Sequence, residues 1–296
     1  MELLDLEIFS LVAKEQSVTR AAQLLQRVQS NVTTRVKQLE EELGVQLFSR
    51  EGKRMTLTGD GQRLLGYAHR MLTLAEEARQ AMQSNVPVGR LRIGSMESTA
   101  AARLPGLLGA YQSLWPAVQL DISTGTTRAL IDDVKASRLD CAFIAETDER
   151  AAIEFNTGAD ADLAAIPAFR EELLLLVPSR LGSASESVTH YPLAAFAKGC
   201  TYRRIGEQWL ESKCAAQGSR PESVGEIVEY HSYHAIFAAV SAGTAVAVFP
   251  KSVLATLAVA STVQSIPLAE ITTWMVSRPA YQSLALNELS RLLPAR

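Results

Sequence analysis

The spacing of apolar residues changes twice along this chain of 296 residues, and these changes divide it into three segments. Residues 1–58 have apolar positions at helical spacing, in three short runs separated by breaks. Over 59–89 the apolar positions alternate between spacings of four and three residues, which is typical of helices that pair in a coiled coil. Over 90–296 strand-like runs alternate with helical ones, which predicts an α/β domain with a parallel sheet. We therefore expect a helical N-terminal domain, a linker helix and a large α/β domain, in that order.

The composition excludes several classes of protein. Apolar residues make up 47% of the chain, and 29 Lys and Arg residues against 32 Asp and Glu residues give a formal charge of −3. This is a globular composition without a general excess of basic residues, so any nucleic-acid contact must come from a local patch. The three cysteines have no CxxC spacing, the N-terminus has no basic leader, and the most apolar stretch, 235–250, is too short for a bilayer. We therefore expect a soluble, cytoplasmic protein with no membrane partner, cofactor or metal site.

Two helices joined by a short turn are predicted within the first segment, a pattern typical of a helix-turn-helix. The second helix of the chain is expected to begin with Ser17 or Thr19 as its N-cap, and the third to cover Gln29–Leu43. The positions expected to be buried are Ala21, Ala22, Leu24 and Leu25 in the second helix and Val32, Val36, Leu39 and Leu43 in the third. Residues 45–49 and 55–58 then predict a small β-hairpin with a basic tip, in other words a wing.

The exposed positions at the start of the third helix have side chains that suit DNA bases. In a helix-turn-helix, the N-terminal part of the second helix of the motif meets the base edges, where Gln and Asn pair with adenine and Ser and Thr bond to bases or phosphates. The predicted base-reading residues are Gln29, Ser30, Asn31, Thr33 and Thr34. The predicted phosphate or minor-groove contacts are Arg20, Arg27, Arg35, Lys37, Arg50, Lys53 and Arg54. Residues 14–54 hold eight basic and five acidic side chains, so the basic patch is local. From chemistry alone, a protein-binding helical hairpin is the alternative.

The segment 59–84 carries an apolar stripe with a repeat of about 3.5 residues. The predicted seam residues are Leu64, Ala68, Met71, Ala75, Ala78 and Met82. We expect them to join two copies of the chain in a homodimer, because little else in the nearby sequence covers such a stripe. The alternative is an amphipathic helix that packs on its own domain.

Four motifs in the first 61 residues occur together at the spacing of a known family. They are Thr19-Arg-Ala-Ala-Gln-Leu-Leu, Gln29-Ser-Asn-Val-Thr-Thr-Arg-Val, Leu39-Glu-Glu-Glu-Leu-Gly-Val-Gln-Leu-Phe-Ser-Arg and Leu57-Thr-Gly-Asp-Gly. Further landmarks are Leu91-Arg-Ile-Gly, Leu104-Pro, Trp115-Pro, Leu139-Asp-Cys-Ala-Phe-Ile and Val240-Ser-Ala-Gly-Thr-Ala-Val-Ala-Val-Phe-Pro. Over essentially its whole length, the chain resembles the LysR-type transcriptional regulators. It departs from the family pattern at Val28, where a capping serine is usual and a valine cannot cap the helix.

The resemblance implies a winged helix-turn-helix, a long dimerising linker helix and an effector domain of two α/β subdomains shaped like a periplasmic binding protein. Subdomain I would cover about 90–162 and 268–296, and subdomain II about 163–267. The resemblance also implies a homotetramer that binds double-stranded DNA at promoters and contacts RNA polymerase. A small molecule bound in the cleft between the subdomains would control it, through a hinge-type movement.

Carried over position by position, the effector site of the family falls on Ser98, Thr99, Thr126, Thr127, Thr201, Tyr202 and Arg203. Hydroxyl groups beside helix N-termini suit a carboxylate or another anion, and an arginine can clamp it with two hydrogen bonds. A strand is expected near 201–203, before a helix over 206–216. If Glu97, Glu146 or Glu229 faces the cleft, the ligand carries an amine or is zwitterionic. Taken one by one, the hydroxyls are also typical of helix caps and the arginines of a solvated surface.

Signatures of the common enzyme classes are absent from the sequence. The chain has no GxSxG, GxGxxG, P-loop, HExxH or SxxK motif, and an α/β fold does not by itself indicate catalysis. We therefore expect a regulator that is not an enzyme and that binds a small anionic or zwitterionic effector. The alternative is a solute- or metabolite-binding protein, or an enzyme, of periplasmic-binding-protein-like fold without a DNA role. Such a protein has no use for the N-terminal helices.

Overall fold

The computed structural model describes residues 1–51, 54–83, 86–181, 186–216, 225–257, 262–281 and 283–294. The chain divides into two compact units, one formed by Met1–Asn85 with Ala136–Arg138 and the other by Val86–Lys135 with Leu139–Arg296. Within the described ranges, no helix combines the length and the apolar character that crossing a membrane requires.

The first unit is built from four helices and a two-stranded hairpin. They are α1 Leu3–Glu15, α2 Val18–Leu24, α3 Gln29–Leu43, β1 Phe48–Glu51, β2 Arg54–Leu57 and α4 Gly59–Gln83. Ser17 caps α2, because its hydroxyl accepts a hydrogen bond from the Arg20 N–H at 3.3 Å. Gly44 ends α3 in the left-handed conformation, with φ of 68°. These elements confirm the predicted helix-turn-helix.

One apolar core holds the first unit together. It contains buried residues of every helix and of the hairpin, among them Leu6, Phe9, Ala21, Val32, Val36, Leu39, Phe48 and Ala68. Two residues predicted to be buried lie outside it. Leu24 is 61% exposed, because it lies two residues after Ala22 and so about 200° around the helix. Leu43 is 38% exposed, because it is the last residue of α3, one turn beyond Leu39.

β1 and β2 form the predicted hairpin, but the first strand starts later than expected. The two strands pair antiparallel over four residues each. The segment before them is held by the Glu40 carboxylate, which accepts hydrogen bonds from the Leu47 and Phe48 N–H groups at 2.8 and 3.2 Å. This anchoring shifts the pairing toward the tip, so that Arg54 lies in β2. Lys53 and the side chain of Arg50 lie outside the described residues.

The second unit is an α/β domain around a mixed six-stranded sheet. Its strands are β3 Gly89–Ser95, β4 Val118–Thr124, β5 Cys141–Glu146, β6 Ala164–Pro178, β7 Leu193–Ala195, β8 Ile227–Glu229, β9 Ala247–Pro250 and β10 Val263–Ser277. Its helices are α5 Glu97–Ala102, α6 Leu104–Leu114, α7 Thr127–Lys135, α8 Asp148–Glu154, α9 Thr201–Ala216, α10 Tyr233–Ser241, α11 Lys251–Leu254 and α12 Leu284–Arg291. The strand order is β4-β3-β5-β10-β6-β9, and β7 pairs with β8.

The alternation of strands and helices predicts a parallel sheet, and this prediction is wrong for the large sheet, which is mixed. β3 runs parallel to β4 and β5, whereas β10 runs antiparallel to β5 and β6, and β6 antiparallel to β9. The antiparallel pair arises because the chain passes between the two ends of the domain twice, in opposite directions. β6 and β10 make these passages, and each is 15 residues long.

Two apolar cores lie in the second unit. One is formed by β3, β4 and β5 with α6 and α12, and it includes Leu91, Ile93, Leu104, Tyr111, Phe143, Met275 and Leu289. The Tyr111 hydroxyl donates to the Ala285 carbonyl at 2.9 Å, which fixes the C-terminal helix on this core. The other core, around β6, β9, α9 and α10, includes Leu173, Leu175, Leu210, Val240, Val246 and Phe249.

The strand predicted near 201–203 is wrong, because these residues form the first turn of α9. The strand of this region is β7, Leu193–Ala195. Gly199 lies between β7 and α9 with a φ of 97°, a conformation that glycine adopts without strain. As a result, the Thr201 hydroxyl lies at a helix N-terminus and not in a sheet.

Candidate functional site

The N-terminal turns of α3 present polar side chains to solvent. Four of the five predicted base-reading residues are exposed, namely Gln29, Ser30, Asn31 and Thr34. Thr33 is half-buried, and its hydroxyl donates to the Gln29 carbonyl at 3.0 Å. Val32 and Val36 are buried and hold the opposite face of α3 on the core. The start of the helix is therefore rigidly supported and open to a partner.

The basic side chains around α3 fall into two groups. The exposed ones are Arg20, Arg27, Lys37 and Arg54. Arg35 differs, because its guanidinium lies 3.0 Å from the buried Asp5 carboxylate and 3.3 Å from that of Glu2. These contacts join α3 to the start of α1, so Arg35 has partners within the domain. Arg20 lies 3.3 Å from Glu15, yet 73% of its side chain is exposed.

The apolar residues of α4 are divided between two faces. Leu64, Ala68 and Met71, predicted as dimer contacts, pack against the core of their own unit, and Ala68 is fully buried. This packing places the three residues inside the domain and not on an open seam. Among the described side chains of α4, the exposed apolar ones are Tyr67, Leu74, Ala78 and Met82, of which Ala78 and Met82 belong to the predicted seam. Because residue 67 follows residue 64 by three positions, the exposed stripe is displaced by about 60° around the helix.

A cavity of about 200 Å³ lies beside α5, α7 and the N-terminal ends of α9 and α10. Its polar lining consists of Glu97, Ser98, Thr124, Thr126, Thr127 and His231. Its apolar and aromatic lining consists of Met96, Gly125, Phe196, Ala197, Cys200, Tyr202 and Tyr233. The structure thus brings together four of the seven predicted effector-binding residues, namely Ser98, Thr126, Thr127 and Tyr202.

Two pairs of hydroxyl groups include side chains that line this cavity. Thr201 Oγ1 donates to Thr127 Oγ1 at 3.1 Å, and Ser98 Oγ lies 3.5 Å from Tyr202 Oη. All four residues are buried. Burial raises the pKa of the Tyr202 and Tyr233 hydroxyls above the usual value for tyrosine. Both phenols therefore stay protonated and act as neutral hydrogen-bonding groups.

Glu97 supplies a carboxylate to the cavity lining. Burial raises the pKa of Glu97, against the opposite effects of the Tyr233 N–H and of His234. Among the described lining residues there is no lysine or arginine. A positively charged group of a ligand would therefore find its counter-charge here, whereas a carboxylate of a ligand would depend on hydroxyl and N–H donors.

Arg203, which is predicted to bind an anionic effector, does not line the cavity. Its guanidinium is bound to Glu229 and, at 2.8 Å, to Glu207. Arg204 lies 2.5 Å from Glu146 in the same way. Two of the three acids whose direction the sequence leaves open therefore face arginines, and the third lines the cavity.

Thr99 and Thr201 are buried and are not part of the lining of this cavity. Thr201 and Arg203 instead line a neighbouring cavity of about 780 Å³, whose arginines are engaged in ion pairs such as Arg128–Asp132. In the part of the chain that the structure describes, no group of three His, Cys, Asp or Glu side chains is placed to hold a metal ion.

Sequence reasoning misses the apolar wall of the cavity, formed by Met96, Phe196 and Tyr233. Apolar residues at strand ends are more often part of a core, so their type alone indicates no site. The useful signal is positional, because Met96 directly follows the last residue of β3 and lies two residues before the predicted Ser98. A ligand site is expected beyond the carboxyl ends of parallel strands.

Comparisons with known proteins cover nearly the whole chain. Residues 3–62 match the family model for the bacterial regulatory helix-turn-helix protein, lysR family, and residues 84–296 match that for the LysR substrate binding domain. The chain is 36% identical over 293 residues to an uncharacterized HTH-type transcriptional regulator, YusT, of Bacillus subtilis (strain 168). The match covers 97% of this chain and 93% of that relative.

Two solved structures share the fold. Full-length OxyR from Pseudomonas aeruginosa superposes with a TM-score of 0.70 at 23% identity, covering 99% of this chain and 93% of that one. Full-length CbnR, crystallised with its target DNA, superposes with a TM-score of 0.64 at 20% identity, covering 99% of both chains.

A winged helix-turn-helix with an exposed recognition helix and an α/β domain with a lined cavity define a DNA-binding protein with a ligand-binding domain. The chain belongs to the LysR family of transcriptional regulators. The predicted family membership and fold class are confirmed, and the family is one of regulators, not of enzymes.

Proposed function

We propose that this protein binds a specific DNA sequence through α3 and changes transcription when a small zwitterionic or amine-bearing molecule occupies the cavity beside Glu97. The observation that carries the DNA part is the exposed polar start of α3 on a packed core. The effector would lie between subdomain I, about 90–162 with 268–296, and subdomain II, about 163–267.

The DNA contacts follow from the side chains that are open to solvent. Gln29 and Asn31 suit adenine edges, and Ser30 and Thr34 suit bases or phosphates. Thr33 is tied to its own helix and contributes its methyl group. Phosphate contacts are assigned to Arg20, Arg27, Lys37 and Arg54, with Arg50 and Lys53 of the wing. Arg35 is left out of this set, because its charge faces Asp5.

The assembly is proposed from the exposed apolar stripe on α4 and from the family. Tyr67, Leu74, Ala78 and Met82 would join two copies in a dimer, and two dimers would form a tetramer that contacts RNA polymerase. A regulator acts where the DNA is, so we place it in the cytoplasm.

The effector chemistry follows from the cavity. Hydroxyls at the N-termini of α5 and α7, among them Ser98 and Thr127, offer donors to a carboxylate or another polar end. Glu97 offers a counter-charge to an amine. Phe196 and Tyr233 offer apolar and aromatic surface to the rest of the molecule. A small zwitterion with a short apolar body satisfies all three.

Sequence-selective binding to the DNA upstream of its own gene tests the first half of the proposal. Gln29→Ala should weaken specific binding by about 1–3 kcal/mol and leave random-sequence binding nearly unchanged. Gln38→Ala is the matched control, because Gln38 is exposed on the same helix but lies about 180° around it. Equal losses on specific and random DNA for Gln29→Ala would remove its assignment as a base reader.

A thermal-shift screen against amino acids, polyamines, dicarboxylates and aromatic acids tests the second half. A ligand at about 100 times its Kd adds roughly 2.7 kcal/mol to the folded state. The hits should come from amines and zwitterions and should disappear in Ser98→Ala and Thr127→Ala. Hits confined to dicarboxylates would contradict the role of Glu97.

A further inference from the structure

Val28 breaks two rules of local structure at the start of α3. It occupies the N-cap position with an extended backbone, at φ −73° and ψ 143°, and its side chain makes no capping hydrogen bond. Its side chain is also 68% exposed, which makes it one of the most exposed large apolar residues of the first unit. The residue therefore contributes neither a cap nor core packing.

These features lower the stability of the domain. Valine is among the poorest N-cap residues, and Ser, Thr, Asn or Asp at the same place would satisfy a free N–H group of the first turn. An apolar side chain in water gains nothing from folding. Positions that break a local rule without benefit to the fold are often those that serve a partner.

The neighbours of Val28 indicate what the partner is. Arg27, Gln29, Ser30 and Asn31 are all exposed, and the proposed function directs this end of α3 at the base edges of the major groove. The isopropyl group can neither donate nor accept a hydrogen bond. The apolar feature that base pairs present in the major groove is the 5-methyl group of thymine.

We propose that Val28 is a specificity-determining residue that selects thymine by apolar contact with its 5-methyl group. This inference rests on the proposed DNA binding by α3. It assigns to Val28 one thymine for each recognition helix that is bound, beside the bases read by hydrogen bonds.

Replacement of thymine by uracil isolates this contact, because the two bases differ only by the methyl group. Duplexes would be selected from a random-sequence library with the full chain, and each thymine of the selected duplex would then be replaced singly by uracil. The wild type should lose about fourfold in affinity at one position, the factor that burial of one methyl group gives. Val28→Ala should bind the thymine and uracil duplexes equally at that position.

Two further variants separate recognition from folding. Val28→Ser should lose the same thymine preference while the melting temperature rises, since serine caps the helix. Val45→Ala removes an exposed valine just beyond the other end of α3 and should keep the wild-type response to uracil.

The outcomes distinguish this inference from the proposal on which it depends. If no sequence is enriched from the library, the DNA-binding proposal fails, and the inference fails with it. If a sequence is enriched but the uracil profiles of the wild type and Val28→Ala coincide, only the inference is overturned. A fall in the melting temperature for Val28→Ser would also overturn it, because Val28 would then support the fold.

Discussion

Thr201 Oγ1 donates a hydrogen bond to Thr127 Oγ1 at 3.1 Å, although the two residues are 74 positions apart. Each lies in the first turn of its helix, Thr127 in α7 and Thr201 in α9. Both are buried, and Thr127 lines the cavity. The bond therefore links the two helix N-termini beside the proposed effector site, and its strength affects how readily they separate.

Losing either hydroxyl alone should lower the free energy of unfolding by more than half of the loss caused by removing both. Thr201→Val and Thr127→Val should each destabilise the protein by about 1–2 kcal/mol. In Thr127→Val the Thr201 hydroxyl loses its acceptor, and in Thr201→Val the Thr127 hydroxyl keeps only the weak sulfur acceptor Met96 Sδ at 3.5 Å. Thr127→Val/Thr201→Val should cost less than the sum, since neither hydroxyl is then left unsatisfied. Urea unfolding of the four proteins measures this coupling. Strictly additive losses would mean that the two hydroxyls do not act as a pair.

Glu97 should make stability depend on pH in a defined direction. Because burial raises its pKa in the folded state, folding favours the protonated form. The stability that Glu97 contributes is present below the usual pKa of glutamate and is lost as pH rises through the raised pKa. Glu97→Gln should therefore melt at a higher temperature than the wild type at pH 7, and the difference should vanish toward pH 4.

The control for a general charge effect is Glu154→Gln, which removes a carboxylate charge from the exposed ion pair between Glu154 and Arg150. Binding of an amine should reverse the advantage of Glu97→Gln at neutral pH, since the carboxylate then has a counter-charge. A constant difference between wild type and Glu97→Gln from pH 4 to pH 8 would contradict the assignment.

Local signals allowed the helix-turn-helix to be predicted nearly residue by residue. The bounds of α3 follow from the spacing of Val32, Val36 and Leu39 and from Gly44, all within one segment. The direction of β10 could not be predicted in this way, because it depends on how distant segments cross. The ion pair of Arg35 could not be predicted either, because its partner Asp5 lies 30 residues away in the sequence.

The sequence also leaves open which face of α4 is buried. Two stripes overlap on this helix, and Ala78 and Met82 belong to both. Spacing alone cannot predict which stripe packs on the core of the domain, because that depends on contacts with α1 and the other elements of the core.

In the cavity, the hydroxyl-bearing residues could be predicted from motif positions. The apolar wall could not, because its residues resemble those of any core.

Arg54 and Arg35 should respond differently to salt. Arg54 is exposed on the wing, so Arg54→Ala should weaken binding to specific and random DNA alike and reduce the slope of log K against log salt by about 1. Arg35→Ala should leave that slope unchanged and instead lower the stability of the first unit by about 1 kcal/mol, because Asp5 loses a partner. Fluorescence anisotropy over a salt series and thermal unfolding separate the two effects. A reduced slope for Arg35→Ala would return it to the phosphate contacts.

The exposed stripe on α4 should hold the dimer together. Leu74 is 65% exposed in the single chain, and burial of a leucine between two copies would contribute roughly 1.5–3 kcal/mol for each side chain. Leu74→Glu should therefore raise the dimer dissociation constant at least tenfold without lowering the melting temperature of the separate chain. Sedimentation velocity over a concentration series measures this change. Gln62→Glu adds the same charge to an exposed position of α4 outside the stripe and should leave the dimer intact. An undisturbed dimer in Leu74→Glu would mean that another surface joins the copies.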